Sequence, residues 1–267
     1  MSAASSHSVA WQGGARARGQ GHPAAPGRPL VSVIIVVKNG AATLARALES
    51  VWAQTYAPLE IIVRDGGSTD GTLDLLRRHA DRLEVWSSAP DSGLYAAMNA
   101  ALQEARGDWL LFLGADDELR PGFSAAAGQL REPHTLYYGD VLLASRQRRY
   151  DGVFTAAKLA RRNICQQALF YPRAVFAQYN FDTRYRVLAD WALNMRCWHD
   201  GRFRFQYVPE VIAEFNDSTG VSSRRSDAAF QRDYLALVRA HFSAPIYWWR
   251  RAVRTAAWPL RVLGWGR

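Results

Sequence analysis

Apolar positions in the first half of the chain fall into four short blocks separated by helix-periodic stretches. Val31-Ser32-Val33-Ile34-Ile35-Val36-Val37 is β-branched and almost wholly apolar, as expected of a strand buried on both faces. Over residues 41–54 the period changes, and Leu44, Leu48, Val51 and Trp52 return on one helical face. The alternation then repeats. Residues 60–64 form a second strand, followed by a helix from near Thr69-Asp70 that turns Leu73, Leu76 and Ala80 inward. Residues 83–86 lead through Pro90 to a helix over 94–105, and 109–113 make a fourth strand. Strands alternating with helices of this length predict right-handed βαβ units on a parallel sheet, an α/β fold.

After Pro121 the alternation weakens. Strand-like pieces at 136–143, 168–171 and 204–208 mix with helical stretches near 173–178, 190–199 and 227–241. One domain over 30–245 is expected, with a regular half (30–120) and a more irregular half (121–245) suited to substrate specificity. Residues 1–29, rich in Gly, Ala, Ser, Pro and Arg without periodicity, read as a disordered leader. The tail over 246–267 is basic and rich in tryptophan. Ile246, Trp249, Val253, Leu260 and Leu263 share one side of a helix, with Arg250, Arg254 and Arg261 beside them and Trp248, Trp258 and Trp265 adding aromatic bulk. Two readings stand: a terminal helix docked on the protein's own core, and an anchor on an anionic membrane surface.

Composition narrows the classes. With 267 residues, 49% hydrophobic and 21% charged, the chain has a globular composition and can bury a sizeable core. Its formal net charge of +9 lies at the ends: residues 1–30 carry three Arg and no acid, and 239–267 carry six Arg and no acid. Those nine charges equal the whole excess, so the body is neutral and offers no basic face for nucleic acid. Cys165 and Cys197 lack metal-ligand or redox spacing and read as reduced thiols. No apolar run reaches the ~18 residues of a membrane-spanning helix, and the N-terminus lacks the apolar core of a secretory signal. The expected location is cytoplasmic, or peripheral at the inner face of the plasma membrane.

The candidate chemistry is acidic and follows the strands. Asp65 ends the second strand in Asp65-Gly66-Gly67-Ser68-Thr69-Asp70, where two glycines permit a tight turn. Asp70 reads as a helix cap, whereas Asp65 is placed to accept from a base N–H or a ribose hydroxyl at the ligand-binding edge of an open sheet. No Gly-x-Gly-x-x-Gly follows the first strand, which leads into Lys38-Asn39-Gly40, so the dinucleotide fingerprint fails. Asp91 follows the third strand, and Asp116-Asp117 the fourth. Adjacent carboxylates repel unless a cation or strong donors neutralise them, and hard oxygen ligands suit Mg²⁺ or Mn²⁺ bridging phosphate oxygens; the alternative is a solvated loop pair. Asp190 opens a helix in Ala189-Asp190-Trp191. It is either helix-terminal charge placement or, partly enclosed by aromatics, a general base of raised pKa.

The ordered set of motifs resembles family 2 glycosyltransferases. The strand at Val31–Val37 is followed by Asp-Gly-Gly-Ser-Thr-Asp, then Asp-x-Gly-x-Tyr-x-Ala-Met-Asn from Asp91 to Asn99. Gly-Asp-Trp-Leu-Leu-Phe-Leu-Gly-Ala-Asp-Asp (Gly107 to Asp117) and Ala-Asp-Trp complete the set. Within the family the chain is most similar to small enzymes of bacterial exopolysaccharide, capsule or O-antigen assembly, and the likeness runs from about Leu30 to Ser223.

The resemblance implies a GT-A fold, a Rossmann-like and mostly parallel sheet flanked by helices with an irregular acceptor half. It also implies a nucleotide-sugar donor (UDP by family habit, GDP and dTDP open), Mn²⁺ or Mg²⁺, and inversion at the anomeric carbon. By the same resemblance Asn39, Asp65 and Asp91 hold the nucleoside, Asp116 lies near the ribose or sugar, and Asp117 binds the metal. Gly93, Tyr95 and Asn99 close around the donor, and Asp190 is the catalytic base. The acceptor, a glycan or polyprenyl-linked sugar, would meet Gln166, Gln167 and Trp191. A closing loop over 216–225 would bring Ser222 and Arg224 to the diphosphate. Two departures concern the acceptor side: Gln166 stands where many relatives have His, and 216–225 matches the family's closing loop only loosely. A catalytically degenerate nucleotide-sugar-binding scaffold and a sugar-1-phosphate nucleotidyltransferase are the competing readings.

Overall fold

The apolar run at 31–37 forms strand β2 (Val31–Val37), and its alternating side chains feed two separate cores. Val31, Val33, Ile35 and Val37 join one cluster, while Ile34 joins the other. The first cluster packs against α1 (Leu44–Trp52), α2 (Thr72–Arg78) and α4 (Gly122–Ala127) through Leu44, Leu48, Leu76 and Phe123. The second packs against α3 (Leu94–Leu102), α7 (Ala189–His199) and α8 (Ala228–His241) through Met98, Met195 and Phe230. A strand with helices over both faces has to be apolar throughout, which is why the pattern lacks a polar side. The structure, a computed structural model, describes residues 11–19, 27–218 and 226–262, the side chains of 256–262 excepted.

β2 pairs in parallel with β3 (Leu59–Asp65) on one side and β5 (Trp109–Gly114) on the other, and β3 pairs in parallel with β4 (Val85–Ser88). Register carries Val37 opposite Asp65, and Asp65 opposite Ser88. The carboxyl ends of these strands therefore form one edge. Beyond β5 the sheet turns mixed. β9 (Leu169–Pro172) is antiparallel to β5 and to β7 (Thr135–Leu143), and β10 (Arg204–Phe215) is parallel to β7 with two register shifts. Two short strands complete this half: β6 (Glu118–Leu119), antiparallel to β10, and β8 (Arg148–Tyr150), antiparallel to β7. α5 (Ala156–Arg161) and α6 (Arg173–Phe176) bracket β9 in sequence.

The expected elements are present, with shifted ends. α1 starts at Leu44 rather than at 41, and α2 at Thr72, because the residues before each helix spend their backbone groups on turns. β10 runs on to Phe215, well past the expected 204–208. The short elements β6, β8, α4 and α5 span too few residues to show a period.

The leader is the main correction. Trp11–Gly13 forms β1, antiparallel to β4, and a 3-10 turn at Arg16–Arg18 follows it. Arg16 donates to Glu60 Oε2 over 2.8 Å and to the carbonyl of Glu104 over 2.6 Å, and lies 3.6 Å from Glu84. Glu60 and Glu84 are buried at the amino ends of β3 and β4, and a buried carboxylate needs a cation. That long-range demand, not local periodicity, orders residues 11–18.

The tail is the second point of interest. Residues 244–262 form α9 (Ala244–Val262), which packs through Ile246 and Tyr247 on the second core. Arg250 Nε donates to Tyr234 Oη over 2.6 Å, and Arg254 to the carbonyl of Gln231. Trp249 and Val253, expected on the same side as Ile246, face solvent with Trp248. Leu260, Leu263, Trp258 and Trp265 lie outside the side chains described. No helix among the described residues is long and apolar enough to cross a membrane.

Candidate active site

A cavity of about 670 Å³ opens at the carboxyl edge of the parallel strands, as the strand order requires. The turn after β2 lines it directly, and the turn after β3 supports that turn from behind. Asn39 has φ +54°; its N–H donates to Ser68 Oγ over 2.7 Å and its Oδ1 accepts from Thr69 N over 3.0 Å. Its Nδ2 has no partner among the described residues and lies at the cavity wall. Asp65 lies beneath, fully buried. It accepts from Ser68 N (3.0 Å), Ser68 Oγ and Ser88 Oγ (2.6 Å). Asp70 accepts from Thr72 N over 3.1 Å and Ala41 N over 2.9 Å, and its carboxyl is held below the usual range chiefly by the Thr72 hydroxyl. Asp91 Oδ1 accepts from Gly93 N over 2.9 Å. Its Oδ2 passes so close to Gly66 that a Cβ there would meet it at 2.4 Å, which explains the glycine.

The acid pair follows β5. Asp116 is half-buried and faces the cavity, with Oδ2 accepting from Asn216 Nδ2 over 3.1 Å. Asp117 is 2% exposed. Its Oδ1 accepts from Asn216 N over 2.8 Å and its Oδ2 from Gln167 Nε2 over 2.7 Å. Burial pushes the Asp117 carboxyl up to about 7; the Asn216 N–H opposes this and the charge of Asp116 adds to it. A Cβ on Gly114 would lie 2.3 Å from Asp117 Oδ2, so the strand must end in glycine for the acids to fold back over it. Two adjacent hard carboxylates, one open to the cavity, fit a divalent cation that takes its remaining ligands from phosphate and water. Among the described residues no cluster of three or more His, Cys, Asp or Glu could cage a metal unaided.

The third wall carries Asp190, 8% exposed, at the start of α7. Tyr95 Oη donates to Oδ1 over 2.7 Å and Asn163 Nδ2 to Oδ2 over 2.6 Å. Burial pushes this carboxyl up to about 6; the Tyr95 hydroxyl, the backbone N–H groups of Trp191 and Asp190 and the Asn163 amide, in that order, hold it back from rising further. Lys38, which pairs with no carboxylate among the described residues, and Arg146, 3.9 Å from Asp217, supply positive charge to the same cavity.

Several expected contacts have other partners. Asp65 is fully buried, accepts from Ser68 and Ser88 and does not line the cavity, so in this structure it shapes the turn. Asn99 exchanges both amide groups with the backbone of Phe181, at 2.9 and 3.1 Å. Tyr95, four residues earlier on the same face, reaches Asp190 and packs on Phe181 with ring centroids 5.2 Å apart. Gln167 is held by Asp117 and by the Cys165 thiol. Trp191 turns away, donating to the Leu159 carbonyl over 2.8 Å and stacking on Phe230. Gln166 does line the cavity, with Nε2 3.7 Å from Met98 Sδ. Ser222 and Arg224 lie outside the described residues. Sequence reasoning missed Asn163, Asn216, Lys38 and Arg146. Asn194, a buried amide four residues after Asp190, was the one local signal pointing toward Asn163.

An α/β sheet with carboxylates gathered at one edge, facing a cavity that holds both an acid pair and a separate shielded carboxylate, is an arrangement suited to a nucleotide-dependent transferase. The glycosyl transferase family 2 model matches residues 32–189, and the chain belongs to that family: it is a glycosyltransferase. It is 40% identical over 212 residues to a PGL/p-HBAD biosynthesis glycosyltransferase of Mycobacterium bovis (strain BCG / Pasteur 1173P2), covering 76% of this chain and 82% of that protein. Among solved structures it is similar to S. aureus TarS 1-349 in complex with UDP-GlcNAc, with TM-score 0.63 and 16% identity over 79% of this chain and 66% of that one. It is also similar to the mannosyltransferase PcManGT from Pyrobaculum calidifontis in complex with GDP-Man and Mn²⁺, with TM-score 0.60 and 18% identity over 93% and 87%. The fold is therefore GT-A, as the motifs implied.

Proposed function

We propose that the protein transfers a sugar from a nucleotide-sugar, with UDP the preferred nucleotide, to a hydroxyl of a glycan or polyprenyl-linked acceptor in bacterial cell-surface polysaccharide synthesis, with inversion. The observation that carries this reading is Asp190. A carboxylate with pKa near 6 is ionised at neutral pH, is oriented by two donors and borders the cavity that holds the acid pair. Asp190 accepts the hydroxyl proton of the acceptor as that oxygen attacks the anomeric carbon, and the nucleoside diphosphate departs. Base catalysis of this kind contributes typically ~10²–10⁴-fold. Asn39 and Asp91 would meet the nucleoside, and Lys38 and Arg146, which line the cavity with Asn39, the diphosphate. Asp116 and Asp117 would hold Mn²⁺ or Mg²⁺, which supplies charge stabilisation to the leaving group.

The tail supports an acceptor carried on lipid. Trp248, 58% exposed, lies under Arg251 at 5.2 Å, and Trp249, 43% exposed, under Arg250 at 5.2 Å. An aromatic and basic helix face of this kind suits the inner, anionic surface of a membrane. The relative in PGL/p-HBAD biosynthesis favours a glycolipid or cell-surface glycan as product.

The test is a binding and hydrolysis screen of UDP-, GDP- and dTDP-sugars with Mn²⁺, Mg²⁺ or EDTA. A metal-dependent UDP-sugar hit is expected. Binding without turnover for every donor would favour the degenerate scaffold instead.

A further inference from the structure

The carboxylate of Asp190 ends a hydrogen-bond chain that starts deep in the second core. Tyr171 Oη, on β9, donates to Asn194 Oδ1 over 2.8 Å; Asn194 Nδ2 donates to Asn163 Oδ1 over 2.8 Å; Asn163 Nδ2 donates to Asp190 Oδ2 over 2.6 Å. Tyr171 and Asn194 are fully buried, and Asn194 and Asp190 share one face of α7 four residues apart. We propose that Asn163, oriented by Asn194 and Tyr171, is the positioning residue that fixes the reactive orientation of Asp190. The proposal rests on Asp190 being the base.

The chain has a polarity that suits this role. The carboxylate sets the direction: an ionised Asp190 can only accept, so Asn163 turns its NH₂ toward Asp190 and its carbonyl toward Asn194, and the Asn194 carbonyl is left to take the Tyr171 hydroxyl. Asn163 therefore cannot rotate without leaving a buried partner unpaired, which is costly inside an apolar cluster. With Tyr95 on Oδ1, the carboxylate is held at both oxygens by groups from different elements. An apolar residue at 194 would pack this core as well, and the one atom outside the core that the amides serve is Asp190 Oδ2. The segment bearing Asn163 is itself pinned, because the α5 carbonyls of Leu159 and Ala160 accept from Trp191 Nε1 and Tyr234 Oη.

The titration of Asp190 gives a readout that a merely structural role would not move. The titratable groups around it are Tyr95, Tyr171 and Cys165. Burial pushes all three up, leaving them neutral over about pH 5–8. Asp227, at the head of α8, is bonded to the backbone N–H of Val187 and Leu188, and Arg162 is paired with Asp151 at 2.6 Å. Asn163 stabilises the charged form, so its removal must raise the midpoint of Asp190.

The experiment uses the full chain labelled with ¹³C at aspartate carboxyls, the Asp190 signal being the one lost in Asp190→Asn. Asn163→Ala should raise the Asp190 midpoint and lower donor turnover by about 10–100-fold, the cost of a misplaced reacting group. The calorimetric affinity for UDP with Mn²⁺ should stay within about twofold, because the lost contact is not to the donor. Asn163→Asp, which keeps the shape but not the donor, should not rescue turnover. Tyr171→Phe keeps the ring and should shift midpoint and turnover in the same direction by less. Unchanged midpoint and turnover in both Asn163→Ala and Tyr171→Phe would overturn the proposal. Full turnover in Asp190→Asn would instead overturn the base, while the midpoint shift in Asn163→Ala would still report the tether.

Discussion

Tyr95, on the first turn of α3, donates its phenolic hydrogen to Asp190 Oδ1 over 2.7 Å, so the segment that follows Asp91 is tied to the head of α7 at the proposed base. Burial and the Asp190 charge push the Tyr95 phenol well above its usual range, which keeps it a donor at every working pH. Tyr95→Phe removes a hydrogen bond to a charged group, worth about 1.5–3 kcal/mol. Because that bond favours the ionised carboxylate, its loss should raise the Asp190 pKa above about 6. The acid limb of the turnover profile should move to higher pH, with a larger loss at pH 6 than at pH 8. A superimposable pH profile would show that the contact does not tune the base.

Asp190 also makes a stability prediction with a definite sign. Its folded pKa, about 6, lies above the usual aspartate value of 3.8. The contribution of this group to stability is thus fully present below about pH 3.8 and is lost as pH rises through 6. At neutral pH the fold carries a strained charge worth about 3 kcal/mol, from roughly two pK units. Asp190→Asn should therefore melt higher than the native chain at pH 8, with the gap narrowing toward pH 5, while turnover falls by about 10²–10⁴-fold. Thermal melts across that range check it. A variant melting equally or lower at pH 8 would place the cost of burial elsewhere.

The two members of the acid pair should separate experimentally. Both line the cavity, but Asp116 is half-buried with one oxygen held by Asn216, whereas Asp117 is 2% exposed with one oxygen held by Gln167 and the other by the Asn216 backbone. Asp116→Asn should lose most of the Mn²⁺-dependent part of donor affinity with little change in Tm. Asp117→Ala leaves two buried donors unpaired, costing about 1–3 kcal/mol each, and should lower Tm as well as affinity. Calorimetry with Mn²⁺ or EDTA beside thermal melts distinguishes them. The two roles are reversed if Asp117→Ala melts normally.

The strands and the edge they share were legible because their cause is local. β2 and β5 are apolar on both faces, and carboxylates that follow such runs have to emerge at one edge. The fate of each carboxylate was not legible, because it depends on partners far along the chain. Asp65 meets Ser88 and Asp117 meets Gln167, separations of 23 and 50 residues, and neither pairing leaves a local period. Asn163 sits in Arg161-Arg162-Asn163-Ile164 with no pattern around it, yet its amide donates to Asp190 Oδ2. Trp191, expected on the acceptor side by resemblance, follows Asp190 on the helix and is turned about 100° away from it, with its indole on the Leu159 carbonyl and on Phe230.

Asn99 tests whether motif membership or geometry decides a role. Its amide exchanges two hydrogen bonds with the buried Phe181 backbone. Asn99→Ala orphans both partners, at about 1–3 kcal/mol each, and should lower Tm by several degrees (~2–4 °C per kcal/mol at this size). UDP affinity should remain within about twofold in the surviving folded protein. A large loss of affinity at unchanged Tm would return Asn99 to the donor.

The exposed face of α9 yields the last prediction. The helix holds to α8 through Arg250 on Tyr234 and Arg254 on Gln231, so these arginines are committed to the fold, whereas Trp248, Trp249 and Arg251 extend outward. Replacing Trp248 and Trp249 with Ala should leave Tm and donor hydrolysis nearly unchanged, since neither residue lines the cavity. Association with anionic vesicles should fall by about tenfold or more, because each interfacial aromatic buries apolar area worth on the order of 1–2 kcal/mol. Arg251→Glu should weaken binding to anionic vesicles and have little effect on neutral ones, whereas Arg250→Glu should destabilise the helix–core contact directly. Equal sedimentation of native and doubly substituted protein with anionic vesicles would leave α9 as a docked terminal helix, and the lipid-linked acceptor would lose its support from the tail.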